Sequence, residues 1–350
     1  MRIKPRADVQ PIYMRHRPVP LARRARVEAE LKHLVEIGVF TPVNQSDWAT
    51  PIVVVEQGGG KIRICGDYRD TVNLVLKPEG YPLPTLDQAF AQLHGAAIFS
   101  KIDLTRAYNQ VLVDEDTAKL LTLNTHRGLF KVNRLWFGVA VAPPRFQKLI
   151  EGLLSNIEGV IVLLDDVLVT GRTMSEHDHR LREVLRRMSA TGLRINPHKS
   201  LFRASRVRYL GHEVSVRGLM PLRESVEALL LAPEPANVDH VRSFLGKVNF
   251  YEKFIPDRVN LLEPLHRLLP QDAQWTWGDE QANAYKAVKE ILGSQPLLVH
   301  YSLHLPLVLA VDASPYGVGA VLAHVIDGFE RPIAYASRTL TSAEKKLRSI

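Results

Sequence analysis

Apolar and polar residues repeat with two different periods along this chain, and the period changes at definable places. Residues 1–20 show no period, and their prolines predict an extended arm. From Ala22 onward Val27, Leu31, Leu34 and Val35 share one helical face, and Gly38 ends the run. TPIVVVEQ and KIRICGDYR flank a triple glycine, which predicts a β-hairpin with a flexible turn. YPLPTLDQAFAQLHG predicts a helix opened by proline and stopped by glycine. IFSKIDL predicts a short strand ending at Asp103, and residues 111–135 alternate like one or two hairpins. PPRFQKLIEGLL predicts a helix with proline at its start. VIVLLDDVLV, residues 160–169, is a buried-strand pattern interrupted by two aspartates. TMSEHDHRLREVLRRMSATG predicts an amphipathic helix with Thr173 or Ser175 as N-cap and Gly192 as its stop, and VRYLGHEVS one more strand. Past Gly218 the pattern turns helical in VRSFLGKVNFYEKF, NLLEPLHRLL and DEQANAYKAVKEIL. From about Gln295, LPLVLAVDAS, GVGAVLAHV and RPIAYASRTL predict three strands at hairpin spacing, and the sequence reaches Ile350 inside a predicted helix.

Composition adds a partner class. The 350 residues suffice for two or three domains, with 46% hydrophobic and 23% charged residues. No apolar run has the length of a membrane span, and MRIKPRADVQ lacks a signal-peptide core. Cys65 is the single cysteine, so no internal disulfide forms, which fits a reducing compartment. The net charge of +8 favours a polyanion, nucleic acid being the commonest. Arg2, Lys4, Arg6, Arg15, Arg17, Arg23, Arg24 and Arg26 crowd the first segment, and a second basic cluster runs from Arg180 to Arg208.

The aspartates inside VIVLLDDVLV need explaining, because an ionised carboxylate taken out of water costs several kcal/mol unless it is compensated. Asp103 ends one apolar strand; Asp165 and Asp166 interrupt another, with a helix between them in sequence. Three carboxylates at neighbouring strand ends would repel each other unless divalent cations held them. Two such ions about 4 Å apart suit phosphoryl transfer. The plain alternative is an exposed turn pair with no ion. His177 and His179 with Glu176 and Asp178 offer no metal site, since residues two apart on a helix face different ways. The triple glycine is followed by a strand pattern rather than by Ser or Thr opening a helix, which argues against a phosphate loop.

Nine motifs taken in order then resemble the reverse transcriptase of gypsy-type long-terminal-repeat retrotransposons. SDWATPIVVVEQGGGKIRICGDYRDTVN is similar to the family's fingers segment, FSKIDLTRAYNQV to the strand with its first catalytic aspartate, and RLWFGVAVAPPRFQ to its nucleotide-pocket turn and helix. VLLDDVLVTG resembles the double-aspartate hairpin, GLRINPHKSLF and VRYLGHEVS the next two motifs, and VRSFLGKVNFYEKFIP the thumb. LVLAVDASPYGVGAVLAH and PIAYASRTL resemble the opening of a ribonuclease H domain.

The resemblance implies an α+β right-hand polymerase followed by an incomplete ribonuclease H-like α/β domain. It implies fingers and palm over 1–218 (fingers about 1–78 and 112–145), thumb and connection helices over 219–295, and the ribonuclease H-like part over 296–350. It implies Asp103, Asp165 and Asp166 as ligands of two magnesium ions, for which manganese can substitute, with Lys199 as proton donor to pyrophosphate. Arg63 would clamp the triphosphate, Tyr108 would exclude a ribose 2′-hydroxyl, Phe137 and Gly138 would form the pocket turn, and Tyr209, Leu210 and Gly211 the primer grip. The implied activity is RNA-directed DNA polymerisation by attack of a primer 3′-hydroxyl on an α-phosphate. Its partners would be RNA template, DNA primer, RNA–DNA hybrid and deoxynucleoside triphosphates, in cytoplasmic retrotransposon particles or the nucleus. Leu163, Trp136 and Asn109 stand where the family has an aromatic residue, proline and histidine. These departures support a second reading, a non-catalytic nucleic-acid-binding relic. Asp312 matches the first ribonuclease H carboxylate, and the glutamate expected next falls beyond Ile350, so ribonuclease H activity is not expected and an apolar sheet face is expected to lie uncovered.

Overall fold

The computed structural model describes residues 1–341, 343 and 344. An N-terminal arm leads into α1 (Leu21–Glu36), whose Val27, Leu31 and Leu34 are buried. Gly38 ends it with φ of 71°, a backbone state that favours glycine. Strands β1 (Phe40–Val43), β2 (Thr50–Glu56) and β3 (Ile62–Gly66) follow, and the glycine turn between β2 and β3 holds Gly59 and Gly60 at φ of 73°. After the short α2 (Val72–Val75), α3 (Leu86–Ala91) is shorter than the sequence pattern predicts. Pro82 and Pro84 keep the residues before them extended, and Thr85 starts the helix. Its side chain accepts from Gln88 N while Gln88 Oε1 accepts from Thr85 N, a reciprocal cap.

Strand β4 (Ile98–Asp103) ends where predicted. The expectation of hairpins throughout 111–135 is corrected: α4 (Glu115–Leu120) comes first, and only β5 (Leu123–Thr125) and β6 (Gly128–Val132) form a hairpin. Asp114 accepts from Thr117 N at 2.9 Å, and Glu115 and Asp116 occupy the first turn, so capping and charge outweigh the apparent alternation. Then come α5 (Ala142–Leu153), β7 (Val160–Leu163), β8 (Asp166–Gly171) and α6 (Met174–Ala190). The hydroxyl of Thr173 accepts from Glu176 N at 3.2 Å, which settles the N-cap. Strands β9 (Leu201–Ala204), β10 (Arg206–Tyr209), β11 (His212–Ser215) and β12 (Gly218–Pro221) follow. VRYLGHEVS is thus two strands, because Leu210 and Gly211 both take positive φ (48° and 76°) and reverse the chain. Four helices, α7 (Arg223–Leu230), α8 (Val238–Phe250), α9 (Arg258–His266) and α10 (Asp279–Gly293), lead to β13 (Leu307–Ala313), β14 (Gly317–Ile326) and β15 (Phe329–Thr339).

These elements form two compact units. The first comprises Met1–Pro84, Ile102–Val167 and Leu181–Ser200; the second comprises Thr85–Lys101, Leu168–Arg180 and the residues from Leu201 onward. The first contains a five-stranded sheet, β1-β6-β5-β2-β3. Its core packs the Phe40 ring, tilted, against Phe130 and Trp136 at 6.0 and 4.8 Å, and the fully buried Tyr68 donates its hydroxyl to Leu121 O at 2.8 Å. The arm is laid on by backbone bonds from Arg6 N to Val75 O and Met14 N to Ala49 O. A four-stranded sheet has the order β7-β8-β4-β9.

The second unit holds the three-stranded sheets β10-β11-β12 and β13-β14-β15. His212, fully buried, lies among the rings of Phe90, Phe250, Tyr251 and Phe254 at 5.0–5.8 Å. Leu219 and Leu298 exchange backbone bonds, and Gly218 is required beside them, since a Cβ there would lie 2.1 Å from Leu298 O. On β13, Leu307, Leu309 and Val311 are 47%, 64% and 67% exposed, so an apolar strip lies open among the described residues. His177 is also buried, bonded to Ser100 and Asp178, which gives it a structural role. No helix of the described residues is long and apolar enough to cross a membrane.

Candidate active site

Asp103 is the last residue of β4, and its backbone is held on both sides. Its N–H donates to Ser200 Oγ at 3.1 Å, and its carbonyl accepts from Asn196 N at 2.8 Å. Gln110 ties the following loop to the same partner segment, donating to Thr105 O and Arg194 O and accepting from Arg194 N at 2.6 Å. Asp165 lies in the tight turn between β7 and β8, after Leu164 at φ of 55°. That region costs a non-glycine residue about 1–2 kcal/mol. Gln147 of α5, wholly buried, offsets this. Its Oε1 accepts from Leu164 N at 2.6 Å, and its Nε2 donates to Val162 O at 2.8 Å and to Glu151 at 2.6 Å. The Tyr81 hydroxyl donates to the other Glu151 oxygen.

Both aspartates line one cavity of about 900 Å³ within the first unit. Tyr108 stands on its wall, its ring 5.3 Å from Phe137 and 5.1 Å from Phe146. Burial first, and then the negative charge of Asp165, raise the Tyr108 phenol above its ordinary pKa, so it remains neutral. Arg63, from β3, lies over Phe137 at 4.8 Å and is exposed to the cavity. With the Gln57 amide turned to satisfy its neighbours, its oxygen accepts from Arg63 Nε and Nη2 at 3.2 and 2.9 Å. Lys199 reaches the same cavity from the loop before β9.

Beneath the pocket, Gly138 has φ of 99°, and a Cβ there would lie 2.2 Å from Gly66 O, so only glycine fits. Asn73 clamps this turn, donating to Gly138 O at 2.9 Å and accepting from Ala140 N at 2.8 Å. Asp67 anchors the adjoining segment through Arg69 (2.9 and 3.1 Å) and Arg17 (2.7 Å), and the Arg69 and Arg17 guanidiniums lower its carboxyl to about 2 against desolvation.

The cavity is lined by two of the three carboxylates that the resemblance names, Asp103 and Asp165. Asp166, half-buried at the start of β8, is not among the residues lining the cavity. Among the described residues no group of three or more His, Cys, Asp and Glu side chains could hold a metal ion. Magnesium prefers few carboxylates supplemented by phosphate oxygens and water, so the hard oxygen ligands of Asp103 and Asp165 fit a divalent cation.

The other assigned positions lie in the second unit. Tyr209 is fully buried, Leu210 and Gly211 form the turn, and Tyr251 donates its hydroxyl to Gly211 O at 3.2 Å. Asp312 is exposed on β13 and accepts from Ala313 N at 2.8 Å. Trp136 is buried against Phe40, and its indole N–H, like the Asn109 amide nitrogen, has no hydrogen-bond partner among the described residues. Gln147, Asn73, Asn196 and Gln110 escaped the sequence reading. Each acts through backbone groups of distant segments, and a polar residue at a buried helix position, as at Gln147, was the one available sign.

The cavity thus gathers two carboxylates at strand ends, the cations Arg63 and Lys199, and the aromatic rings of Tyr108 and Phe137. Residues 55–214 match the family described as reverse transcriptase (RNA-dependent DNA polymerase), and residues 277–350 match the RNase H-like domain found in reverse transcriptase. The Tf2-7 and Tf2-3 transposon polyproteins of Schizosaccharomyces pombe are each 31% identical over 334 residues, which is 95% of this chain and 25% of each polyprotein. The chain therefore spans a quarter of the length of the curated relatives it matches. A foamy viral protease-reverse transcriptase in complex with dsDNA has a TM-score of 0.87 at 25% identity, covering 97% of this chain and 71% of that one. The same viral protein in complex with an RNA/DNA hybrid has a TM-score of 0.85 at 24% identity, covering 97% and 46%. The chain belongs to the reverse transcriptases, and within them to those of gypsy-type retrotransposon polyproteins. Its fold is the mixed α and β polymerase fold of that family followed by an RNase H-like domain.

Proposed function

We propose that this chain is a working RNA-directed DNA polymerase that extends a primer on an RNA or DNA template with deoxynucleoside triphosphates. The observation that carries this reading is the single cavity lined by Asp103, Asp165, Tyr108, Arg63 and Lys199. Asp103 and Asp165 would hold magnesium, which when bound supplies charge neutralisation for phosphoryl transfer. Arg63 offers a planar donor fork suited to phosphate oxygens. Tyr108, wedged between Phe137 and Phe146, would fill the space that a ribose 2′-hydroxyl needs. Lys199, which lines the same cavity, would give a proton to departing pyrophosphate. Residues 1–218 would serve as fingers and palm, 219–295 as thumb, with the turn at Tyr209, Leu210 and Gly211 against the primer. Supporting the partner assignment, the foamy viral relatives are complexed with dsDNA and with RNA/DNA hybrid.

The test is primer extension on an RNA template with magnesium. The wild-type chain is expected to extend, and Asp165→Asn to lose extension by at least about 10³-fold while still binding hybrid. Binding without extension by the wild-type chain would instead establish the non-catalytic relic that Leu163 and Trp136 suggest.

A further inference from the structure

We propose that Arg106 is an additional triphosphate-binding residue, held in reserve by Glu30 until a nucleotide displaces the carboxylate. The proposal rests on the polymerase reading above and adds a residue and a competitor to it. Arg106 takes φ of 50° and ψ of 48°, the left-handed region. A residue with a Cβ pays for that conformation, and glycine or asparagine would occupy it more cheaply. An arginine kept there points to a use for its side chain.

That side chain lines the same cavity as Asp103, three residues earlier, and Tyr108, two residues later. The ion pair it makes is loose: Arg106 Nη2 lies 3.8 Å from Glu30 Oε1, with the Arg106 side chain 43% exposed. An exposed pair of that kind contributes little to stability, so it does not repay the backbone strain. Glu30 itself lines the cavity from α1. The neighbouring cations are more committed. Arg26 donates to Gly60 O at 3.3 Å and to Glu56 at 3.4 Å, and Arg63 lies on Phe137. Arg106 is thus the cavity-lining guanidinium most readily exchanged from a carboxylate to a phosphate, for which its donor fork is equally suited. Glu30 then acts as a built-in competitor that weakens nucleotide binding.

The experiment uses the full chain in two measurements: steady-state incorporation of one deoxynucleoside triphosphate on a primed template, and calorimetric binding of inorganic tripolyphosphate. Arg106→Ala is expected to raise the nucleotide KM about tenfold with kcat within about twofold, and to weaken tripolyphosphate by a similar factor. Glu30→Gln is expected to lower KM, and the double variant to bind no better than Arg106→Ala alone. A KM and a tripolyphosphate affinity unchanged in Arg106→Ala would overturn the proposal. So would a double variant that regains wild-type KM, since that would make the pair purely structural. Should Arg106→Ala fail to fold, an unchanged KM in Glu30→Gln overturns it. Should the wild-type chain not polymerise, the polymerase reading falls by itself, and tripolyphosphate binding insensitive to Arg106 remains the result that sinks this one.

Discussion

Individual side chains in the cavity act through shape and through what they hold. Tyr108 is neutral and packed between two rings, which suits the proposed steric gate rather than acid–base work. Replacing it with alanine is expected to reduce discrimination against ribonucleotides on the order of a hundredfold, read from the ratio of kcat/KM for matched ribo- and deoxynucleotides. Unchanged discrimination would remove the gate role. Gln147 makes a different prediction. Gln147→Leu keeps the side-chain bulk but leaves Leu164 N and Val162 O without their partner. A buried unsatisfied group costs about 1–3 kcal/mol, so this variant is expected to melt earlier and to extend primers at least about tenfold more slowly, with hybrid affinity retained. Equal melting and activity to wild type would show that the turn holds Asp165 without Gln147.

At the scale of elements, the β10–β11 turn and α8 meet at a buried histidine. His212 donates from Nδ1 to Leu210 O at 2.7 Å. Burial first, then the nearby Lys253 charge, lowers its imidazole from 6.5 to about 4. The unfolded chain takes up this proton below about pH 6.5, and the folded chain does not until about pH 4. Stability is therefore full above that window and falls as pH drops through it. His212→Phe is expected to flatten the pH dependence of melting between pH 6.5 and 4, and an unaltered slope would assign the acid sensitivity elsewhere. Where sequence and structure differ, the elements are short ones. The stretch 111–135 alternates like strands, yet Asp114 and the acidic turn after it start α4. VRYLGHEVS is a uniform strand pattern, yet Leu210 leaves the allowed β region to make the turn. Local capping and a left-handed residue without glycine are weak signals beside an apolar period.

For the whole molecule, the net charge of +8 and the basic first segment, with Arg2, Arg6, Arg15 and Arg24 all at the surface, suit contact with phosphates rather than base edges. Hybrid binding is expected to weaken linearly in log affinity against log salt and to vary little with sequence. Affinity independent of salt between 50 and 200 mM, measured by fluorescence anisotropy, would exclude a phosphate-dominated interface.

Much of this protein was legible in one dimension because its motifs are contiguous. The strand that ends at Asp103, the double aspartate within an apolar run, the Phe137–Gly138 turn and the order of helices after Gly218 are local patterns, set by side-chain period and by glycine and proline stereochemistry. Tertiary structure alone decided the membership and support of the site. It gathered Asp103 and Asp165 on one cavity wall, brought Glu30 of α1 against Arg106, and let Gln147, Asn73 and Asn196 hold backbone groups far from them in sequence. Hydrogen bonds to backbone atoms leave no periodic trace in a sequence, because any residue offers the same N–H and C=O, and only the folded path determines which ones meet.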